Sequence, residues 1–204
     1  MKKKLPKNLK LLSYNIIFCE DEKSSKMYLE LWRQIYGKTN FRIEKCKTGG
    51  GYVNMINSSI KEIKRIETNE NVKFTNKYIV VDLDKSCEDK TQKKKLEEFK
   101  KTAKDNNIKV IYCDPNFEIY LLLHFECCCL ENKDIINRKL IGYINKEFSK
   151  NITKIDDIKK DLSIFRKICN DKNIINYAIQ NNKNIFKNNN NRTNFYQLIE
   201  TIIN

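Results

Sequence analysis

The sequence predicts an α/β protein, a parallel sheet flanked by helices, with a helical region after it. Short apolar runs of β type alternate with longer polar stretches whose apolar residues recur at helical spacing, the βαβα pattern of a parallel sheet. After about residue 130 the strand signals stop and only helical spacing continues. Three of the apolar runs also end in acids. Ile16-Ile17-Phe18-Cys19 leads to Glu20-Asp21-Glu22, Tyr78-Ile79-Val80-Val81 to Asp82-Leu83-Asp84, and Val110-Ile111-Tyr112-Cys113 to Asp114 and Glu118. The carboxyl ends of parallel strands converge on one crevice, where such folds bind ligands. Carboxylates gathered there repel one another unless a cation neutralises them, and for oxygen-only ligands that cation is most often Mg²⁺.

Each element has its own signal. Residues 14–19 read as a buried strand. Residues 24–35 read as a helix opened by Ser24-Ser25, with Met27, Leu29, Leu31, Trp32 and Ile35 as its apolar positions. Residues 41–46 alternate apolar and polar, which suits a strand, and Thr48-Gly49-Gly50-Gly51 is a break. From Tyr52 to Ile66 the apolar residues return at helical spacing. Residues 78–81 are short and continuous enough for a fully buried strand. A Lys-rich helix over 91–105, a strand over 108–113 and a helix from Pro115 to about Phe125 complete this part. Helices are expected at 133–148, 154–169, 173–186 and 195–203, with Asn188 to Asn191 as a low-complexity break. The expected division is 10–128 for the α/β unit and 129–204 for a helical region packed on it.

Composition bounds the function. The chain has 204 residues and a net charge of +14, from 40 Lys+Arg against 26 Asp+Glu spread along its length. Polyanion binding, most simply nucleic acid, is one reading of that excess. AT-rich coding is the other, since Lys, Asn and Ile dominate throughout; the acid clusters favour nucleic acid. The eight cysteines form no disulfide framework. Cys19 and Cys113 lie in apolar strands, Cys127-Cys128-Cys129 are consecutive, and no CxxC pair accompanies the single histidine, His124. A zinc ribbon is thereby disfavoured and a reducing cytosol fits. No apolar span of about 18 residues and no signal peptide are present, so a cytoplasmic protein without a membrane segment is expected.

The acids differ in what they point to. In extended backbone Asp82 and Asp84 project to one side, so both can face a metal while Leu83 faces the core; a turn after a strand would also use Asp. Glu20 stands at a strand tip, where a group meant to reach substrate belongs, although an acid near a helix start is also favoured by the helix dipole. Asp114-Pro115 reads mainly as a helix N-cap followed by Pro at the first helical position. Glu118 lies in an otherwise apolar helix and needs a partner or a metal there. His124 shares a face with Phe117, Tyr120 and Leu121 and reads as a packed, hydrogen-bonded core residue. The glycine break before a helix could bind a phosphate, but a tight turn serves equally, and no Lys-Ser/Thr follows to make an NTPase P-loop.

The stretches FCEDEKSSKMY (18–28), VVDLDK (80–85), CDPNFEIYLLLHFE (113–126) and NNRTNFYQLIETI (190–202) together resemble the RloB-like family. Its first acid pattern, C-E-G-E-K-T-E-x-x-Y, is matched by Cys19, Glu20, Glu22, Lys23 and Tyr28, while Asp21 and Ser25 replace a Gly and a Glu. Its pattern S-N-P-C-F-E-L-W-L-L-L-H-F is matched by Pro115, Phe117, Glu118, His124 and Phe125, with Tyr120 for the Trp. The resemblance implies a Toprim-like fold, encoded beside an ABC-type ATPase in bacterial defence islands that include abortive phage-infection systems. It implies that Glu20 corresponds to the proton-transferring Toprim glutamate and that Asp82 and Asp84 form the metal-binding DxD, with Glu118 as a family-specific addition.

The expected function is therefore a Mg²⁺- or Mn²⁺-dependent nuclease. Glu20, Asp82 and Asp84 would hold the metal, Glu118 would join them in catalysis, and RNA such as tRNA is favoured over DNA. The rivals are a non-catalytic adaptor that docks on its ATPase and binds nucleic acid or a nucleotide, and a plain nucleic-acid-binding module with structural acids.

Overall fold

Alternation along the strands decides which helices cover which face of the sheet. The computed structural model describes residues 14–47, 51–83, 90–127, 132–187 and 192–203. Thr48-Gly49-Gly50, Asp84, Cys128-Cys129 and Asn188 to Asn191 lie outside them. Four strands, β1 (Tyr14–Cys19), β2 (Phe41–Lys45), β3 (Phe74–Asp82) and β4 (Ile108–Cys113), form one sheet in the order β2-β1-β3-β4. Every neighbouring pair is parallel. Successive side chains point to opposite faces. Ile17, Cys19, Tyr78, Val80 and Ile111 therefore enter one core, and Ile16, Phe18, Ile79 and Val81 the other.

The second core is closed by α2 (Gly51–Asn69) and α3 (Lys90–Asp105), through Met55, Ile56, Ile63 and Ile66 of α2 and Leu96, Phe99 and Ala103 of α3. The first is closed by α1 (Ser25–Ile35) and by the elements after β4: α4 (Glu118–Leu122), α5 (Lys133–Phe148), α6 (Ile155–Lys160), α7 (Leu162–Asn170), α8 (Lys172–Lys187) and α9 (Phe195–Ile203). The result is an α/β protein with an all-parallel four-stranded sheet between two helical layers, consistent with a Toprim-like fold. The C-terminal helices share a core with the sheet. Ile136, Leu140 and Ile144 of α5, and Ile164, Phe165, Ile168 and Cys169 of α7, are buried in it.

Edge strand β4 is closed by the chain's own tail. Thr193 bridges Cys113 in antiparallel sense, and the Asp114 amide donates to the Arg192 carbonyl at 2.7 Å. Asn194 takes the place of a neighbouring strand with its side chain: Oδ1 accepts from the Tyr112 amide at 2.8 Å, and Nδ2 donates to the Val110 carbonyl at 3.0 Å. Buried Asn182 of α8 holds the same tail, donating to the Thr193 carbonyl at 2.6 Å and accepting from the Tyr196 amide at 3.0 Å. An exposed edge is a template for pairing with other chains, and this arrangement occupies it.

Two local readings are corrected. Asp114 and Pro115 do not start a helix: their peptide bond is cis, and α4 begins at Glu118 with Phe117 before it. Both main-chain polar groups of Asp114 are taken by Arg192, the amide by its carbonyl and the carbonyl by its Nε at 2.9 Å, so this segment pairs with the tail instead of coiling. The single helix expected over 154–169 is two. Asp161 is extended (φ −93°, ψ 91°), its Oδ1 accepts from the Ser163 amide at 2.9 Å to cap α7, and Lys150 holds its carboxyl down to about 2. A side chain that bonds its own backbone two residues on competes with helix continuation.

Replacing Asn194 by Ala should leave two main-chain groups of β4 without their partners. The expected loss is about 2 kcal/mol, read from the urea unfolding midpoint at constant m-value.

Candidate functional site: carboxylates at the strand tips

The chain turns from β1 outward to β2 and then returns to place β3 on the other side of β1, so the strand order reverses between β1 and β3. Open parallel sheets bind ligands at the carboxyl ends of strands beside such a reversal. Glu20 follows the last residue of β1, and Asp82 is the last residue of β3. The two are joined directly, because the Asp82 amide donates to Glu20 Oε2 at 2.9 Å. The Tyr52 hydroxyl donates to the Asp82 carbonyl at 3.1 Å, so the main chain of Asp82 is held on both sides. Asp84 belongs to the same expected set and lies outside the described residues.

Asp21 builds the turn into α1. Its carboxylate accepts from the Lys23 amide at 2.8 Å and from the Ser24 hydroxyl, and its carbonyl accepts from the Ser25 hydroxyl at 3.0 Å. These bonds suit a short acid where the family pattern has Gly. Burial alone would raise the Asp21 carboxyl; the bonds from Ser24 and Lys23, with Lys159 nearby, hold it below its ordinary range.

Glu118 opens α4 and is 1% exposed. It is carried in by its neighbours: Phe117, Ile119, Tyr120, Leu121 and Leu122 are all buried. Its carboxylate has no hydrogen bond of ordinary geometry among the described residues. Its contact is instead the ammonium of Lys159, 2.9 Å from Oε1. The same ammonium lies 3.5 Å from Asp21 Oδ2. Burial pushes the Glu118 carboxyl above its usual range, against the pull of Lys159. Burial would lower Lys159, yet Glu118, Asp21 and Asp82 keep it above the ordinary lysine value, so it is a cation there.

Lys159 was not visible as a site residue in the sequence. It follows buried Ile158 in α6, and no local pattern separates it from the other basic residues among 40 Lys+Arg. Only the packing of α5 to α7 against α1 and α4 brings it across. Asp114 is engaged elsewhere, with its Oδ2 3.5 Å from Arg192 Nε. Among the described cysteines, four are closed off from the crevice. Cys19, Cys46, Cys113 and Cys169 are buried, and burial pushes the Cys46 and Cys169 thiols up to about 12.

His124 is a core residue, 2% exposed. Nδ1 lies 3.0 Å from the Tyr120 carbonyl and Nε2 3.1 Å from the Tyr28 hydroxyl, which a neutral ring satisfies by donating with the first and accepting with the second. Tyr28 also packs against Phe117, Tyr120 and Phe195, with ring centroids at 5.6, 5.9 and 6.1 Å. Tyr28, Phe117, Tyr120 and Phe195, from three of the four motif stretches, thus form one cluster, with Phe117 directly before Glu118 in the chain.

The donors suit a divalent metal in kind, being oxygen only and anionic, and Oε2 of the buried Glu118 has no hydrogen-bond partner among the described residues. Among the described residues no three His, Cys, Asp or Glu side chains are grouped to hold an ion by themselves, so a complete set would draw on Asp84.

The all-parallel four-stranded sheet between helical layers defines an α/β protein consistent with a Toprim-like fold. A family model described as RloB-like protein matches residues 15–202, and the chain belongs to the RloB-like family. Neither a curated protein nor a solved structure matches it. No described helix is long and apolar enough to cross a membrane.

Two measurements check the site's energetics. Lys159→Met should cost about 3 kcal/mol, near the low end for breaking a buried ion pair because Lys159 keeps 19% of its side chain exposed. Adding Glu118→Gln should recover most of that loss in a double-mutant cycle. Burial lowers His124 to about 4, so the folded protein binds its proton less readily than the unfolded chain. Its contribution is full above pH 6.5 and lost as pH falls towards 4. Wild type should therefore lose up to about 3 kcal/mol relative to His124→Gln across that window, measured by denaturant unfolding.

Proposed function

We propose that this protein is a divalent-metal-dependent nuclease acting on nucleic acid, with RNA such as tRNA favoured over DNA. The observation that carries the reading is the junction of Glu20 and Asp82 at the reversal point of the sheet, with the Asp82 amide on a Glu20 oxygen. Strand-tip carboxylates on neighbouring parallel strands suit phosphodiester chemistry, because a phosphate can approach them only where their charge is offset. Mg²⁺ or Mn²⁺ held by Glu20, Asp82 and Asp84 would supply that offset and polarise the phosphate.

The chain's own groups divide the remaining work. Glu20 is oriented by the Asp82 amide and serves as the proton-transferring carboxylate. Lys159 is a fixed cation within reach of the crevice, suited to hold a non-bridging phosphate oxygen. Glu118 keeps Lys159 in place from the buried side and is the further carboxylate of the catalytic set. Family membership supports the wider setting, an effector of an anti-phage, abortive-infection defence system working with an ABC-type ATPase partner in the cytoplasm.

One observation favours a second reading. Lys159 already pairs with Glu118 and Asp21 in the crevice, as in a module whose acids are settled without metal. That module would be a Toprim-like adaptor, docking on the ATPase and binding nucleic acid or a nucleotide without cutting it.

Purified protein incubated with total RNA and with plasmid separates the two. The nuclease reading expects cleavage with Mg²⁺ or Mn²⁺ and none in EDTA. Asp82→Ala should abolish it, and Glu20→Gln should lower the rate at least about 100-fold without unfolding the protein. Metal-independent binding without cleavage of either substrate would establish the adaptor.

A further inference from the structure

The amino ends of β3 and β4, at the opposite end of the sheet from the crevice, border an open groove of about 720 Å³. Five lysines line it: Lys73 and Lys77 around the start of β3, Lys100 and Lys104 on α3, and Lys109 on β4. No Asp or Glu is among its described lining residues. Lys77 lies 3.2 Å from Glu67, and Lys100 lies 3.1 Å from Glu97. Lys73, Lys104 and Lys109 make no ion pair among the described residues, and all three are exposed. Some lysines outside the groove are matched with acids, as in Lys139–Glu126, Lys150–Asp161 and Lys183–Glu200, whereas among the described residues others, such as Lys61 and Lys64, stand singly on helix surfaces. Here Lys73, Lys77, Lys100 and Lys104 line one concavity from the start of β3 and from α3, while Lys109 borders it with its ammonium 5.5 Å from the centroid of the Tyr78 ring. The mutual repulsion of these lysines favours an anionic occupant.

The groove is linked to the crevice by the direction of α3. In a parallel sheet the crossover helix runs back against the strands, so α3 starts near the strand tips and ends at the groove. Its exposed Lys93, Lys100 and Lys104, spaced by seven and four, lie on one face of a helix about 24 Å long. Lys77 and Asp82, five residues apart on β3, are separated by about 17 Å. Several nucleotides of an extended strand cover that span.

We propose that this groove binds the sugar-phosphate backbone of a nucleic acid, as an anchoring site separate from the carboxylate crevice. Its place in catalysis rests on the nuclease reading above, but the binding itself does not. The contacts are lysine ammonium groups to phosphate oxygens, so the site reads charge and not sequence.

The test is fluorescence anisotropy in EDTA, with a labelled 20-nucleotide single-stranded RNA and a 20-base-pair DNA duplex as probes. Lys73→Glu/Lys104→Glu/Lys109→Glu is compared with Lys61→Glu/Lys64→Glu/Lys172→Glu, which carries the same net charge on exposed positions outside the groove. The groove variant should bind at least tenfold more weakly, and its salt slope should fall by about 2–3. The control should change less than threefold. The corresponding Gln substitutions should show a smaller loss in the same order. An effect on one probe alone would support the site and identify that nucleic acid as its ligand. Equal losses in both Glu variants, no loss in the groove variant, or a wild type that binds neither probe would overturn the proposal. A protein that binds through the groove but cleaves neither RNA nor plasmid with Mg²⁺ or Mn²⁺ would overturn only the nuclease reading.

Discussion

Tyr28 sits where three distant parts of the chain meet, and its contacts hold the strand-tip region in shape. Its ring packs on Phe117 and Tyr120 from around α4 and on Phe195 from α9, while its hydroxyl meets His124. Phe195 closes the cluster, 5.1 Å from Phe117 and 4.4 Å from Tyr120 between ring centroids. Such rings contribute through large buried area and preferred edge-to-face geometry. Glu118 follows Phe117 directly, so the position of its carboxylate depends on this packing. The tail depends on it too, because Phe195 comes just after the residues that close β4. Buried carboxylate, sheet edge and C-terminal helix therefore share one apolar anchor.

Charge is distributed unevenly across the two ends of the sheet. At the strand tips Glu20, Asp21, Asp82 and Glu118 bring acids together, and Lys159 is the cation that the C-terminal helices deliver to them. At the other end five lysines line the groove, of which Lys77 and Lys100 are paired with Glu67 and Glu97. A chain with a large basic excess can reserve its acids for a few places, and the fold places several of them where the strands converge. The acidic crevice and the basic groove lie at opposite ends of α3, the helix with the most lysine.

Much of this was readable from local pattern. The four strands and the helices between them follow from β-type runs and helical spacing, and the acids at the ends of β1 and β3 follow from their place after those runs. The α/β class and the parallel sheet needed nothing more. Two readings failed, one to a distant segment and one to a local side-chain bond. Asp114 and Pro115 carry a helix-start signature, yet Arg192 takes the main-chain groups of Asp114. Asp161 interrupts a helical pattern because its side chain caps the next turn and pairs with Lys150 at 2.8 Å. Lys159 had no signal at all, since a lysine that reaches a buried acid looks the same in sequence as one that faces water.

Local pattern in the chain carried the class of fold, the order of its elements and the candidate acids at the ends of β1 and β3. These are properties of periodicity and composition within short windows, where neighbouring residues share one backbone path. Tertiary structure alone decided that Glu20 grips the Asp82 amide, that Lys159 answers Glu118, that Asn194 completes the edge of β4 and that five lysines line one groove. Each of these joins residues on different elements, most of them far apart in the chain. Such pairings depend on how helices and strands pack, and packing is settled by the sum of many weak contacts that no single window of sequence contains.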